Sequence, residues 1–449
     1  MKCRYFGTDG IRGRFGGDFL NEEFVEKFGR ALGYWFQAQG KVGEILIGRD
    51  TRDSGPKIER ALVKGLLEGG LTIILEGIVP TPALSYLIKE SGAMGGVMIT
   101  ASHNPAEDNG LKVFGKEGKK LKLEDEVEIE SFLEKKKASS ARVLSQIKKR
   151  EDLEIYIKFV KNLLPKDCLK GWKIVVDTAN GATVQTVHEV FKYFGSELIN
   201  IGNEPEGINI NEGVGSEHPE KLVAVVKATQ AHLGISYDGD GDRVLVCDDK
   251  GKVAPGDQLL GILALQGLRE GKLKKKTLVT TIQSNGGLDW SLNAKGCQVV
   301  RVDVGDRNVL YAMEALGCSL GGESSGHVIY SDLLKSGDGL VTGLKLCECL
   351  LKTKKSLKEL CEDIQLFPQK ILNLRVKEKK ALERLVHVQK VLSELKESFG
   401  EKGHVLVRYS GTESMIRLLV EHAQEAIAKE GMERLMKAVS EDLEIIKNA

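Results

Sequence analysis

The chain has 449 residues, with Lys+Arg 65 against Asp+Glu 64, 41% hydrophobic and 29% charged residues. A single hydrophobic core stops growing at roughly 250–300 residues, so three or four domains are expected. The near-cancelled charge offers no overall field to nucleic acid or an anionic membrane surface, and no run approaches the ~18 apolar residues of a spanning helix.

The opening Met1-Lys2-Cys3-Arg4-Tyr5-Phe6-Gly7 has no apolar stretch behind a basic start, so a cytoplasmic location is expected. An amphipathic helix is predicted over Glu22 to Gln39, and apolar strands over Glu44 to Gly48 and Gly95 to Thr100. Strands alternating with helices imply an α/β layer with a partly parallel sheet. The charged stretch from Lys116 to Lys158 reads as a solvated linker helix, with a boundary near residue 150.

A βαβ unit follows: strand Trp172 to Asp177, a turn over 178–182, helix Val184 to Phe194, strand Glu197 to Asn200. The pattern returns as strand Lys276 to Ile282, helix Gly286 to Ala294 and strand Gln298 to Asp303. The tail differs, with strand Lys370 to Val376, helix Glu378 to Glu397, strands His404 to Arg408 and Met415 to Glu421, and a last helix from Ala423. The expected fold is therefore three similar α/β domains with mixed sheets (1–150, 151–252, 253–367) and a smaller C-terminal α+β domain (368–449). Eight scattered cysteines lack the paired spacings of zinc sites or the density of a disulfide scaffold and read as reduced thiols. Glycine at 51 and proline at 9 indicate many tight loops between regular elements.

The strongest chemical signal is Tyr237-Asp238-Gly239-Asp240-Gly241-Asp242-Arg243 between two apolar runs. In an extended strand, carboxylates at alternate positions lie ~6–7 Å apart, too far to share an ion. The two glycines let the backbone curl until Asp238, Asp240 and Asp242 converge on a hard cation. A calcium EF-hand is rejected, because its required Gly and Glu places hold Arg243 and Asp249. Three carboxylates leave octahedral positions open, which suits Mg²⁺ that also touches a phosphate.

Thr100-Ala101-Ser102-His103-Asn104-Pro105 follows an apolar run, placing Ser102 at the C-terminal end of a strand, where α/β sheets bind ligands. The flanking glycines of a hydrolase nucleophile elbow are missing, and a Ser/Asn/Pro turn is the bland alternative. In Gly321-Gly322-Glu323-Ser324-Ser325-Gly326-His327, an extended loop would point Glu323, Ser325 and His327 the same way, toward sugar hydroxyls or an amine. A polar glycine-rich turn fits that segment equally well. Arg408-Tyr409-Ser410-Gly411-Thr412-Glu413 with Arg417 suits an anion nest with flanking guanidinium groups, or else a helix cap.

In this order the four segments resemble the α-D-phosphohexomutase superfamily over nearly the whole chain. Arg4 to Gly13, the run Ser102-His103-Asn104-Pro105 with Asp108 to Lys112, and the Gly-Gly-Glu-x-Ser-Gly-His form look like its bacterial phosphoglucosamine mutase family. That family interconverts glucosamine 6-phosphate and glucosamine 1-phosphate on the way to UDP-N-acetylglucosamine. The resemblance implies four domains each giving a loop to one cleft, with a phosphorylated Ser102 that completes the Mg²⁺ shell of the three aspartates. It implies Lys112 as general base, Arg243 beside the metal loop, Arg12 and His103 lining the site, and a sugar loop of Glu323, Ser325 and His327. The phosphate cradle would comprise Arg408, Ser410, Gly411, Thr412 and Arg417. Glucosamine 1,6-bisphosphate or glucose 1,6-bisphosphate would serve as intermediate and primer, and a small hexosamine phosphate is the expected partner, with a homodimer admissible and no nucleic acid or membrane involved. Ser324 stands where glucosamine-type mutases usually have Gln, which keeps glucose or mannose phosphate open as the alternative substrate. Tyr409 and Ser414 replace the prolines usual in the phosphate loop.

Overall fold

Three times along the chain, three parallel strands are followed by a fourth that runs antiparallel. The computed structural model in which this is seen describes residues 3–40, 43–134, 146–410 and 414–446. In the first unit, β1 (Ile11–Arg14), β2 (Glu44–Arg49), β3 (Thr72–Ile78), β4 (Gly95–Ile99), β5 (Asp108–Gly115) and β6 (Ile147–Lys149) form one sheet in the order β1-β5-β4-β2-β3-β6. Strands β3, β2 and β4 are parallel, and β5 returns antiparallel to β4.

The second sheet joins β7 (Lys173–Asp177), β8 (Glu197–Ile201), β9 (Leu233–Tyr237), β10 (Val244–Cys247) and β11 (Val253–Ala254) in the order β11-β10-β9-β7-β8. Again β8, β7 and β9 are parallel and β10 turns back. Because β11 pairs with β10, this sheet runs past the expected boundary at 252. The third has β12 (Thr277–Thr281), β13 (Gln298–Val302), β14 (Leu320–Gly322) and β15 (Val328–Tyr330), with β13, β12 and β14 parallel and β15 antiparallel. The last unit is an antiparallel sheet of β16 (Gln369–Arg375), β17 (Gly403–Tyr409) and β18 (Met415–His422), with β18 central.

The parallel strands are apolar because helices cover both faces of such sheets: Gly95–Ile99 and Leu233–Tyr237 are buried throughout. One continuous core runs from Leu46 and Ile74 through Ile174 and Ile235 to Leu320 and Ile364, so the three α/β units are fused by apolar packing. The fourth unit has a core of its own, from Val376 through Val420 to Leu443.

Two expectations change. The charged stretch after Lys116 is not a solvated linker helix. Its helix Leu123–Phe132 lies against helix Glu22–Ala38, where Glu130 accepts the Arg4, Tyr5 and Phe6 amides at 2.7, 2.7 and 2.9 Å. Its carboxylates anchor the N-terminal segment, β6 then pairs with β3, and helix Leu153–Lys161 is a separate element; residues 135–145 lie outside the described part. The helix expected from Glu378 begins only at Val386, because the charged run before it is drawn toward the end of the chain. Val376 bridges Ile445, and the Lys377 amide donates to the Glu444 carbonyl at 3.0 Å.

Candidate active site

The serine, aspartate and sugar-loop segments occupy one and the same turn of the repeated unit, the connection from the third parallel strand to the antiparallel fourth. Ser102 lies between β4 and β5, the aspartates between β9 and β10, and Glu323 to His327 between β14 and β15. The C-terminal ends of the parallel strands open there, which is where such sheets bind ligands.

Ser102 is buried and in the left-handed backbone region, at φ 53°, a conformation that costs a non-glycine residue of order 1 kcal/mol. Its neighbours hold it there. The Ser102 carbonyl accepts from the Arg52 guanidinium at 3.0 Å and from the Asn211 amide at 2.9 Å, while Thr100 Oγ1 accepts the Ser102 amide at 2.9 Å. Arg52 is fully buried, paired with Asp50 at 3.0 Å, and also donates to the carbonyls of Asn104, Pro105 and Asp108. The hydroxyl of Ser102 thus points at Asp238, Oγ to Oδ2 2.5 Å, with His103 Nδ1 at 3.5 Å. Burial, with Arg243 and Arg12 nearby, lowers the His103 imidazole to about 4.

The aspartate loop curls as its glycines require. Gly241 has φ 76°, and a Cβ on Gly239 would stand 2.7 Å from the Ser102 carbonyl oxygen, so the two loops meet only if position 239 has no side chain. All three α/β units stitch the loop. The Thr81 amide donates to the Asp240 carbonyl at 2.9 Å, the Ala182 amide to Gly239 at 2.8 Å, and the Gly339 amide to Gly241 at 3.0 Å. One carboxylate oxygen from each of Asp238, Asp240 and Asp242 lies within 4.8 Å of the others, all three residues buried. Oδ1 of Asp240 and Oδ1 of Asp242 are buried without a hydrogen-bond partner among the described residues. Burial and then the charges of Asp242 and Asp240 push the Asp238 carboxyl well above the usual range. Converging carboxylates with unsatisfied oxygens fit a hard, oxygen-seeking cation such as Mg²⁺.

Lys112, fully buried on β5, places Nζ 2.8 Å from Oδ2 of both Asp240 and Asp242 and 3.4 Å from Asp9. Burial alone would favour the neutral amine, but Asp240, Asp242 and Asp9 outweigh it and hold the ammonium well above its ordinary value. In this arrangement Lys112 is a paired cation, and it can act as a base only once those carboxylates turn elsewhere. Arg12 pairs with Asp9, and Arg243 stands 3.6 Å from Glu217 and 3.9 Å from Asp242.

The sugar-loop segment is a tight hairpin turn and not an extended loop: the Glu323 amide donates to the His327 carbonyl at 2.9 Å and the Gly326 amide to Glu323 at 3.1 Å. Glycine at 326 and the short antiparallel pairing impose the reversal, so alternate side chains no longer share a face by pleating alone. The turn still sets Glu323, Ser324, Ser325 and His327 around one cavity of about 190 Å³, together with Asp242 and Arg243. Gln283 lines it too, and its amide oxygen, in the orientation that satisfies both groups, accepts from Arg408 at 2.7 and 3.2 Å. Arg417 is the direct cross-strand neighbour of Arg408 on β18. Ser410 is buried, its carbonyl accepting Lys379 Nζ at 2.7 Å. Gly411 and Thr412 lie outside the described residues.

Motif reading passed over Asp9, Arg52, Thr81, Lys120, Asn211 and Asp306, all of which touch these loops or line the cavity. Asp50 to Ser54 did carry a signal, a polar run at the C-terminal end of β2. Lys120 and Asp306, separated by 186 positions, carried none.

Family models of the phosphoglucomutase/phosphomannomutase domains match in order: α/β/α domain I over residues 3–140, II over 154–251, III over 255–367 and the C-terminal domain over 371–438. The phosphoglucosamine mutase of Anoxybacillus flavithermus is 40% identical over 443 residues, 98% of this chain and 99% of that one. Among solved structures, a phosphoglucomutase/phosphomannomutase family protein from Burkholderia thailandensis superposes with a TM-score of 0.83 at 23% identity, covering 99% of this chain and 100% of that one. The Aspergillus fumigatus N-acetylphosphoglucosamine mutase, solved with GlcNAc-6P and magnesium, shares the fold with a TM-score of 0.66 at 17% identity, over 98% and 96% of the two chains. Four domains in this order, closing on a serine, an acidic triad and a polar sugar-sized cavity, define an enzyme that rearranges phosphate on a hexose. The chain belongs to the phosphoglucomutase/phosphomannomutase family of phosphohexomutases.

Proposed function

We propose that the protein interconverts glucosamine 6-phosphate and glucosamine 1-phosphate, supplying UDP-N-acetylglucosamine synthesis, with Ser102 as the residue that carries the phosphoryl group. The observation that carries the reading is the 2.5 Å approach of Ser102 Oγ to Asp238 Oδ2 inside a buried triad of carboxylates, a setting with no use for a plain serine. Identity of 40% over nearly full length to a phosphoglucosamine mutase supports the amino-sugar substrate.

Asp238, Asp240 and Asp242 would hold Mg²⁺, with a phosphate oxygen on Ser102 completing the set. When bound, the ion supplies positive charge against the phosphoserine and the transferring phosphoryl group. The chain's own residues do the rest. Arg52 and Asn211 fix the Ser102 backbone, so the phosphoryl group is presented in one direction. Phospho-Ser102 gives its phosphoryl to the free hydroxyl of the sugar, Lys112 takes the hydroxyl proton, and a 1,6-bisphosphate results. After that bisphosphate turns over in the cleft, the other phosphoryl returns to Ser102 and the proton to the sugar oxygen it leaves. Glu323, Ser325 and His327 would hold the ring in both orientations, while Arg408, Ser410, Gly411, Thr412 and Arg417 would grip the non-reacting phosphate; Arg243, Arg12 and His103 would neutralise and shape the site.

Eight free cysteines suit a reducing compartment, which supports a cytoplasmic placement. Among the described residues no helix is long and apolar enough to cross a membrane. Light scattering decides between monomer and homodimer.

The test is a coupled assay of Mg²⁺-supplied protein with glucosamine 6-phosphate and a trace of glucose 1,6-bisphosphate, beside Ser102→Ala. Product from the wild type and none from the variant is expected. Turnover of glucose or mannose phosphate in place of glucosamine phosphate would keep the chemistry and replace the substrate, the alternative that Ser324 keeps open.

A further inference from the structure

Asp306 opens the helix Asp306–Leu316 of the third unit and faces the same cavity as the sugar-loop turn. The acidic groups of that cavity are not equivalent. Asp242 is engaged by Lys112, and Asp9 by Lys112, Lys120 and Arg12. Glu323 accepts the Gly305 amide at 3.1 Å and is raised above its ordinary value by burial, with the Asp306 charge adding to the effect and His327 and Arg243 opposing it. Asp306 uses Oδ1 for the Arg307 amide at 2.9 Å and turns Oδ2 toward Lys120 Nζ at 2.6 Å and His327 Nε2 at 3.4 Å.

Three points converge. The Asp306 carboxylate already receives an ammonium, that of Lys120 from the first unit, so its position and exposure suit that chemistry. That ammonium is shared with Asp9, so Asp306 and Glu323 are balanced by a divided ammonium and by Arg243, which lines the same cavity and acts on Glu323, in a low-dielectric pocket. Beside them His327 is 3% exposed and, among the described residues, neither ring nitrogen has a hydrogen-bond partner, Asp306 Oδ2 lying 3.4 Å from Nε2, so this corner of the cavity is built to receive a polar group.

We propose that Asp306 is the residue that selects an amino sugar, its carboxylate receiving the C2 ammonium of the hexosamine phosphate alongside Glu323; this rests on the reading above that the substrate is a glucosamine phosphate. A glucose phosphate puts a neutral hydroxyl at the same place. It brings no charge to the two carboxylates, and the discrimination follows from that missing ion pair more than from the added hydrogen bond. Asp306 then acts on binding and specificity, not on the transferring phosphoryl group.

The experiment compares kcat/KM for glucosamine 6-phosphate and glucose 6-phosphate, both with Mg²⁺ and glucose 1,6-bisphosphate, in wild type, Asp306→Asn and Lys120→Met. The ratio of the two values should fall by about tenfold or more in Asp306→Asn, as loss of a buried charge partner implies. In Lys120→Met both values should drop together, with the ratio kept within about twofold, since only the bridge between units is lost. If Asp306→Asn strands the Lys120 ammonium and the chain does not fold, the double variant Asp306→Asn/Lys120→Met removes both charges and carries the same readout. An unchanged ratio in the Asp306 variants overturns the proposal, as does an equal loss of the ratio in Lys120→Met. A wild type that itself prefers glucose 6-phosphate defeats the amino-sugar reading, and this assignment with it, and is told apart because it appears before any variant is made.

Discussion

Arg52 donates to the carbonyl oxygen of Ser102 at 3.0 Å while its own guanidinium is fully buried against Asp50. One side chain therefore fixes four carbonyls of the serine loop and sets the direction of the serine hydroxyl. Arg52→Met would leave the buried Asp50 carboxylate without its charge partner and take one donor from each of those carbonyls, and should cost about 3–5 kcal/mol in denaturant unfolding. Arg52→Lys keeps the charge but not the planar fork, so it should recover part of the stability and little of the turnover. Full activity in Arg52→Lys would show that charge alone orients the loop.

The acidic triad makes a second test. Asp240 shares its carboxylate between Thr81 and Lys112 and has one oxygen without a hydrogen-bond partner. Asp240→Asn should weaken Mg²⁺ binding by at least about tenfold in a calorimetric titration, because a hard cation loses a charged oxygen ligand. Chelation of Mg²⁺ should stop turnover in the wild type and its return should restore it. Unaltered affinity in the variant would place the ion elsewhere.

Glu421 gives a pH-dependent prediction at the seam between the third and fourth units. Its buried carboxyl is pushed up to about 7 from 4.5 by burial, against the Gly286 amide and the Gln369 side chain, which favour the charged form. The folded chain thus holds a proton that the unfolded chain has already released. The stability linked to that proton is fully present below about 4.5 and is lost as pH rises through about 7. The interval corresponds to on the order of 3 kcal/mol. Urea unfolding at pH 5.5 and 8.5 should show about 2 kcal/mol of that loss in the wild type, the part that falls above pH 5.5, and little of it in Glu421→Gln. A wild type equally stable at both would mean that Glu421 ionises without cost.

A fourth prediction concerns the support of the metal loop. The Tyr156 hydroxyl donates to Asp338 Oδ2 at 2.8 Å, Asp338 caps the helix Gly339–Thr353 through the Val341 amide at 2.9 Å, and the Gly339 amide holds the Gly241 carbonyl. Tyr156→Phe should cost about 1–3 kcal/mol by leaving a buried carboxylate oxygen short of a donor. Mg²⁺ affinity should stay close to wild type, since the backbone bond to Gly241 survives. A variant as stable as wild type would show that Asp338 needs no donor at that oxygen.

Much of the site was legible in the chain because its chemistry sits in short local runs. The glycine-spaced aspartates announce a curled loop with converging carboxylates, and the apolar run before Ser102 places that serine at a strand end. The repeated βαβ pattern was equally plain, since buried parallel strands are apolar throughout. Relations between distant positions were not legible. Nothing local marks Lys120 as the partner of Asp306, and the charges of Leu123–Phe132 resemble a solvated face until the amides of Arg4, Tyr5 and Phe6 are found bonded to Glu130. The start of the helix at Val386 was missed for the same reason, as the residues before it obey a pairing made with the far end of the chain.

The shared turn of the three α/β units has a wider consequence. The serine, the aspartates and Glu323 to His327 each occupy the same corner of a separate copy of one scaffold, yet their loops are held by one another's backbone, so a change in one copy is felt in the next. The architecture is a division of labour among siblings that lean on one another, and a loop of one copy can move only as far as its neighbours allow.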